Sequence, residues 1–170
     1  GGACTDEGCA SEFTDLFISE YIEGSGNNKA IELFNGTANA VDLSAYSLIK
    51  ATNGAAIVDG TNEVELTGTL ASGETYVVCN TSAADIPAEK CDLEYTGQVI
   101  NFNGNDAIAL YKGAERIDIV GKEDGNPGDS WPVGSGNTED HTLVRKSGVH
   151  QGVDTWDPDQ WDVYAQNTFD

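Results

Sequence analysis

The sequence contains no methionine, two histidines, four prolines and four cysteines, and only eight of its 170 residues are Lys or Arg. It has no apolar run near the roughly 18 residues of a spanning helix, so we expect no membrane span. Because clustered Lys and Arg supply the usual attraction to phosphate, direct nucleic-acid binding is not expected without a bridging metal ion. The missing methionine indicates that Gly1 is not a native start, and we expect that a signal peptide preceded it.

Acidic residues and glycine are what the sequence has in abundance. There are 29 Asp and Glu residues, the formal net charge is -21, and 20 residues are glycine. A chain of this length corresponds to about one domain with a single core. The combination of moderate hydrophobicity with many Gly and Asx residues is typical of short strands joined by tight turns.

The hydrophobic pattern indicates strands almost everywhere. Apolar residues alternate with polar ones over residues 64–70, and the continuous run at 75–79 predicts a central strand. A hairpin is predicted to turn at Gly113, and a long loop is expected over residues 121–137. The single helical candidate is a short turn over residues 82–85. Many short strands at intervals of about ten residues predict an all-β sandwich or barrel.

The four cysteines favour disulfides and an oxidising compartment, because no histidine lies near them at zinc-ligand spacing. Three pairings are possible, and proximity in sequence favours Cys4–Cys9 with Cys79–Cys91. We therefore expect an extracellular or cell-surface protein, with residues 1–13 as a disulfide-stapled extension and residues 14–170 as the domain. Four reduced thiols in a cytosolic protein are the alternative.

The sequence offers no catalytic constellation, and we expect no enzymatic activity from this chain. Nucleophilic catalysis needs a Ser or Cys beside a histidine that a carboxylate orients. His141 and His150 are the two histidines, and neither has a second histidine at zinc-ligand spacing. We interpret both as surface or turn residues.

Carboxylates and Asx amides are the one abundant source of ligands, and calcium prefers such oxygens. A bound calcium is therefore a further expectation, although Asx residues that cap turns and Asp residues that solubilise the surface explain the same pattern. The candidate clusters are, first, Glu20, Glu23, Asn28 and Glu32; second, Asn103, Asn105 and Asp106; and third, Asp154, Asp157, Asp159 and Asp162.

Three tryptophans could form an aromatic platform for a ligand or fill the core. Trp156 and Trp161 are set among Asp residues close to the end of the sequence, and Trp131 lies in the long loop. Because buried indoles commonly anchor cores, we interpret Trp156 and Trp161 as a plug at one end of the sandwich.

Several segments carry, in combination, a resemblance to a known family. They are Phe17-Ile18-Ser19-Glu20-Tyr21, residues 29–36, residues 41–48, residues 70–79, Gly104-Asn105-Asp106-Ala107-Ile108-Ala109-Leu110, residues 116–121, Thr142-Leu143-Val144-Arg145-Lys146, Trp156 and Asp159-Gln160-Trp161. Together these segments resemble the lamin-tail domain of secreted bacterial nucleases. The resemblance implies an immunoglobulin-like β-sandwich with long Gly- and Asx-rich loops, and it spans about residues 14–170.

In those nucleases the lamin-tail domain accompanies a separate catalytic domain, which this sequence does not contain. The resemblance therefore implies a non-catalytic accessory module that docks on a protein or cell-surface partner, or on a covalently linked nuclease domain. One alternative is a module that presents DNA to a nuclease domain, and another is an adhesion or surface-layer domain. DNA binding would need a bridging cation or a basic patch assembled from Lys112, Arg116, Lys122, Arg145 and Lys146.

Overall fold

A computed structural model describes residues 13–58 and 60–169 of the chain. Short β-strands joined by turns and single 3₁₀ turns make up this part of the chain. The strands are β1 (Phe17–Glu23), β2 (Lys29–Phe34), β3 (Val41–Asp42), β4 (Tyr46–Ala51), β5 (Glu63–Glu65), β6 (Thr69–Leu70), β7 (Thr75–Asn80), β8 (Leu93–Tyr95), β9 (Ala107–Lys112), β10 (Glu115–Val120), β11 (Pro132–Val133), β12 (Gly136–Asn137), β13 (His141–Arg145) and β14 (Trp161–Ala165). The 3₁₀ turns are Leu43–Ala45, Thr52–Gly54, Ala88–Lys90, Gln98–Ile100 and Pro158–Gln160.

Two larger sheets form the sandwich. One has six strands in the order β14-β13-β1-β2-β7-β8, and the other has four in the order β10-β9-β4-β5. Neighbouring strands are antiparallel except β7 and β8, which are parallel. The predicted all-β, immunoglobulin-like sandwich is therefore confirmed. Among the described residues, no helix is long and apolar enough to cross a membrane.

The core lies between the two sheets and follows the two-residue alternation of the strands. On β2, Ile31 and Leu33 are completely buried in the core, whereas Glu32 between them points to the opposite face. Tyr21 of β1 packs against Phe102 with 4.9 Å between ring centroids. Each fully buried large apolar side chain contributes about 1.5–3 kcal/mol relative to an exposed one.

The tryptophans are core residues, as the plug interpretation predicts for Trp156 and Trp161. Their rings pack with centroids 6.1 Å apart, and both residues are buried. Trp131 is also buried, and it anchors the segment that follows β10. That segment is more regular than the predicted long loop, because β11 and β12 form a two-stranded ladder within residues 121–137.

The predicted hairpin of β9 and β10 is confirmed, with Gly113 in its turn at a φ of 57°. Such a positive φ favours glycine because it has no Cβ. The predicted helical turn over residues 82–85 is wrong, since these residues form turns and bends. Side-chain oxygens of Asn28 and Asn80 accept the backbone N–H groups of residues 82, 84 and 85, which satisfies those donors outside a helix.

Cys79 and Cys91 form a disulfide with 5.8 Å between their Cα atoms, which is the pairing expected from the sequence. The expected Cys4–Cys9 pair lies outside the described residues, as does nearly all of the predicted extension. Phe13, the first described residue, packs against the rings of Phe17 and Phe34.

Candidate functional site

The structure divides the first predicted calcium cluster between two surfaces. Glu20 on β1 and Glu32 on β2 lie on the outer face of the six-stranded sheet and are direct cross-strand neighbours. Glu23 instead lies buried at the end of β1, where it forms an ion pair with Lys29 and accepts a hydrogen bond from the backbone N–H of Asp140. The predicted members therefore do not surround one ion.

The second predicted cluster organises its own turn. Asp106 is buried, and its carboxylate accepts hydrogen bonds from the backbone N–H groups of Asn53 at 2.8 Å and Asn103 at 3.0 Å. Lys50 lies 3.4 Å from the same carboxylate. Asn105 donates to a backbone carbonyl in the segment between β10 and β11 at 2.9 Å. Contacts of this kind stabilise turns, as the alternative interpretation of these residues as turn caps rather than calcium ligands expects.

The third predicted cluster is spread along the last part of the chain. Asp157 caps the 3₁₀ turn Pro158–Gln160 by accepting the backbone N–H of Asp159 at 3.0 Å. Asp154 accepts a hydrogen bond from the neighbouring Thr155 hydroxyl at 3.2 Å. Asp162 lies on β14, opposite β13. The cluster is therefore a series of separate local contacts.

Within residues 13–58 and 60–169, no three His, Cys, Asp or Glu side chains are grouped so that they could hold a metal ion. The structure does bring Glu23 and Asn103, from different predicted clusters, to one cleft of about 390 Å³ with Asp129, Glu139 and Asp140. Partial burial, together with the charges of Asp129, Asp140 and Glu23, raises the pKa of Glu139. Calcium stays a prediction.

Three of the eight basic side chains are buried, which composition alone does not suggest. Lys29 pairs with Glu23, Lys50 pairs with Asp106, and Arg145 pairs with a carboxylate that is completely buried. Because a buried charge is costly without a partner, these three cations serve to compensate carboxylates inside the folded protein.

The partner of Arg145 is Asp118 on β10, and this ion pair connects the two sheets. The Asp118 carboxylate also accepts the backbone N–H groups of Ile18 at 2.8 Å, Ile119 at 2.9 Å and Val153 at 3.1 Å. Burial raises the pKa of Asp118, while the Arg145 charge and the hydrogen bonds oppose that shift. Strand bulges in β1 and β10 adjoin this site.

The Arg145 guanidinium has several contacts besides Asp118. It donates to the carbonyl of Ile18 at 3.0 Å and to the side chain of Gln160, and it lies 4.1 Å from the centroid of the Trp161 ring. Stacking of guanidinium on indole adds to the ion pair. The group therefore ties β1 and β13 to the segment that carries the buried tryptophans.

Arg145 is wrongly assigned to the basic patch considered for DNA binding, because this side chain is buried. Lys112 and Arg116 also have acidic partners of their own, Asp15 at 2.6 Å and Glu123 at 2.8 Å. Hydrogen bonds that Lys112 makes with the side chains of Asp15 and Tyr46 raise its pKa. These pairs offset the charges of two cations that the patch would need.

The two histidines occupy contacts with the protein itself. The Nδ1 atom of His141 is hydrogen-bonded to the backbone carbonyl of Glu139. The ring of His150 packs 4.7 Å from the ring of Phe13, measured between centroids. His141 lies at the start of β13, His150 follows that strand, and both are half-buried.

A groove of about 450 Å³ lies on the outer face of the six-stranded sheet and is the surface feature that stands out chemically. Its floor is apolar, and its edges carry carboxylates from the sheet on one side and from the loop between β7 and β8 on the other. We call it the acidic groove. The floor comprises Ile22, Ala30, Val77, Ile86 and Phe169; the acidic residues are Glu20, Glu32, Glu74, Glu89 and Asp92; Thr75, Pro87 and Lys90 complete the lining.

The loop that forms the outer wall of the acidic groove is held at several points. The Cys79–Cys91 disulfide joins it to the end of β7. Asp92 accepts a hydrogen bond from the backbone of β7 at 2.8 Å. The side-chain oxygen of Asn28, which the sequence suggested as a calcium ligand, accepts two consecutive N–H groups of the loop at 2.9 and 3.0 Å. The wall is therefore fixed to the sheet in the free protein.

Sequence reasoning found Glu20 and Glu32 but not the groove to which they belong. A signal was present, because Glu20 and Ile22 are two residues apart on one strand, as are Ala30 and Glu32 on the next. Residues two apart share one face of a strand. An outward face that mixes carboxylates with aliphatic side chains indicates that another segment packs on it, and in the structure Ile22 and Ala30 form a buried cluster with Ile86 of the loop between β7 and β8.

A sequence model described as Lamin Tail Domain matches residues 10–124 of the chain. No curated protein matches the chain. The remaining described residues, 125–169, lie beyond the match and include β13 and β14, which complete the six-stranded sheet beside β1.

Proposed function

Because the chain belongs to the Lamin Tail Domain family of immunoglobulin-like, non-catalytic domains, we propose that it docks a larger secreted protein of the nuclease type onto a partner rich in Lys and Arg. The partner is a protein or a cell-surface component. The domain supplies attachment, and a separate domain supplies any catalysis.

The distribution of charge is the observation that carries this proposal. The chain has a net charge of -21, and three of its eight cations are buried in ion pairs. Two further cations are paired with Asp15 and Glu123 at the surface. The field outside the molecule is therefore strongly negative, which attracts cationic partners and increases their rate of association.

The same charge argues against the alternative in which the domain presents DNA to a nuclease. A duplex carries one negative charge per roughly 1.7 Å of its axis, so an anionic face repels it. Arg145, one member of the basic patch that would reverse this repulsion, is buried, which supports this argument. A secreted location is supported by the Cys79–Cys91 disulfide, because such bonds persist in oxidising compartments.

The test is to immobilise the chain and to measure binding of poly-lysine, poly-glutamate and duplex DNA at low and at physiological salt. We expect poly-lysine to bind, with an affinity that falls as salt rises, and the other two probes not to bind. Retention of DNA at low salt in the absence of divalent ions would contradict the proposal. So would metal-dependent DNA cleavage by the chain itself.

The nuclease context is tested separately by the full coding sequence of the parent protein. We expect it to encode a catalytic domain of the endonuclease/exonuclease/phosphatase type. If it encodes adhesion or surface-layer repeats instead, the nuclease part of the proposal is wrong and the adhesion alternative is favoured.

A further inference from the structure

We infer that the acidic groove binds an extended peptide segment in which Lys or Arg residues flank an apolar side chain. This inference rests on the proposed function and specifies where the cationic partner is held. It follows from the floor of the groove, the arrangement of its charges and the rigidity of its wall.

The floor of the groove is a second apolar cluster, separate from the core between the sheets. Ile22, Ala30, Cys79 and Ile86 pack together on the outer face of the six-stranded sheet, and the half-buried Phe169 adjoins them. Val77 adds another half-buried aliphatic side chain to the floor. Val77 and Phe169 are the floor residues that stay partly exposed, and an apolar side chain of a ligand would gain free energy by covering them, roughly in proportion to the area removed from water.

The charges around the floor select the rest of the ligand. Among the described residues, five carboxylates line the groove and Lys90 is its basic side chain. Glu20 and Glu32 are direct cross-strand neighbours, and like charges directly opposite each other destabilise a sheet. A Lys or Arg head placed between the two carboxylates would relieve this repulsion.

Lys and Arg fit this combination of surfaces better than a metal ion does. Their methylene stems cover apolar surface while their charged heads reach carboxylates at the edge. A metal ion offers nothing to the aliphatic floor, and no group of described carboxylates is arranged to hold one. An extended peptide presents alternate side chains to the same face, so one apolar residue and its basic neighbours can reach floor and edges together.

The groove is preformed, which reduces the entropic cost of binding. The disulfide, Asp92 and Asn28 hold its outer wall against the sheet, as described above. Its volume of about 450 Å³ falls within the range of known ligand sites, about 300–1,000 Å³.

The experiment uses a fluorescent pentapeptide, Arg-Lys-Leu-Lys-Arg, and measures its anisotropy with the chain at physiological salt. Matched peptides replace the central Leu by Gly or every basic residue by Glu. Two double variants remove equal charge: Glu74→Gln with Glu89→Gln at the edges of the groove, and Glu65→Gln with Glu115→Gln on the four-stranded sheet. All four side chains are exposed, so both variants should fold, and thermal unfolding verifies this.

We expect the groove variant to bind about tenfold more weakly than the parent and the control variant to change affinity by less than about twofold. The Gly peptide should bind more weakly than the Leu peptide, and the Glu peptide should not bind. Amide chemical-shift changes on titration should concentrate at the floor residues of β1, β2 and β7.

Equal loss in both double variants, or shift changes spread over both sheets, would overturn the groove while leaving a generally cation-binding module. Absence of binding to the Leu peptide and also to poly-lysine would overturn both proposals. Binding of the Leu and Gly peptides with equal affinity would show that the apolar floor does not contribute to binding, and it would overturn the inference.

Discussion

The Asp118–Arg145 ion pair and the acidic groove both place carboxylates on strands of the sandwich, but they treat those charges in opposite ways. Asp118 is fully buried and meets Arg145 together with three backbone N–H groups. In the groove, Glu20 and Glu32 face each other across two neighbouring strands. The first site joins opposite charges, whereas the second places like charges side by side.

The difference shows how a chain with few cations distributes them. Lys29, Lys50 and Arg145 are placed where an unpaired carboxylate would be most costly, namely in the interior. Of the groove carboxylates, Glu74, Glu89 and Asp92 are exposed to water, where repulsion is weaker because it is screened, whereas Glu20 is buried. Stability and binding should therefore respond to different carboxylates, and substitutions can test this separation.

The largest expected effect is that of Arg145→Met. It leaves the Asp118 carboxylate buried without its cation, so we expect a loss of about 3–5 kcal/mol in the free energy of unfolding. Without Arg145 the folded-state pKa of Asp118 rises further above its unfolded value. The protonated form is then favoured in the folded state, and stability present at acid pH is lost as pH rises through the folded pKa. Urea unfolding near pH 5 and pH 7 measures both effects.

The control is Lys112→Met, which removes an exposed ion pair with Asp15. It should cost at most about 1 kcal/mol. Equal losses in the free energy of unfolding for Arg145→Met and Lys112→Met would contradict the distinction between buried, paired cations and surface cations.

The next largest effect is expected from removal of the disulfide by Cys79→Ala with Cys91→Ala. The bond closes a loop with a sequence separation of 12, and a loop of that size contributes about 3 kcal/mol in the chain-entropy model. Because the same loop forms the wall of the acidic groove, binding of the Leu peptide should weaken as well. A stability loss with unchanged peptide affinity would show that the wall does not depend on the disulfide.

Much of the fold could be predicted from the sequence, because it depends on local alternation. Apolar residues two apart predicted the strands, Gly113 predicted a hairpin turn, and the run at 75–79 is a strand with partners on both sides. The helical turn over residues 82–85 was predicted wrongly, because Asn28 is 56 or 57 positions away from the N–H groups it accepts there. Local pattern contains no information about such a partner.

The sites could be predicted less well for the same reason. A carboxylate has the same local signature whether it is exposed or buried, so Asp118 between two isoleucines looked like an ordinary alternating position. What buries it is a contact with Arg145 and with the β1 backbone, next to bulges that the hydrophobic pattern does not reveal. Nearness in sequence grouped Glu20, Glu23 and Glu32, but in the structure Glu20 and Glu32 are neighbours on one face, whereas Glu23 is buried beside Lys29.

A smaller effect of opposite sign is expected from Glu32→Gln. Gln keeps an oxygen that can accept the hydrogen bond which the Ser19 hydroxyl donates at 2.6 Å, but it removes the like charge facing Glu20. Stability at neutral pH should rise by about 0.2–1 kcal/mol, while affinity for the Leu peptide falls. Thermal unfolding and peptide anisotropy measure the two changes on one sample.

The matched control for Glu32→Gln is Glu115→Gln, because Glu115 lies opposite a cation, Lys112, in the β9–β10 register. Removing this favourable neighbour should lower stability slightly and leave peptide binding unchanged. If Glu32→Gln destabilised the protein instead, the Glu20–Glu32 repulsion would not be the reason why the groove attracts a cation.

The smallest expected effect is that of Glu139→Gln, in the cleft that also contains Glu23, Asp129 and Asp140. The folded-state pKa of Glu139 is raised, so ionising it costs stability as pH rises above the unfolded value of about 4.3. The variant should therefore unfold at a slightly higher temperature than the parent at pH 7, and at the same temperature near pH 3.

The predicted calcium site is tested by thermal unfolding of parent and variant with calcium or magnesium added at equal concentration. A calcium-specific rise that Glu139→Gln removes would place an ion in this cleft, whereas equal shifts with both ions would reflect screening of the carboxylates alone.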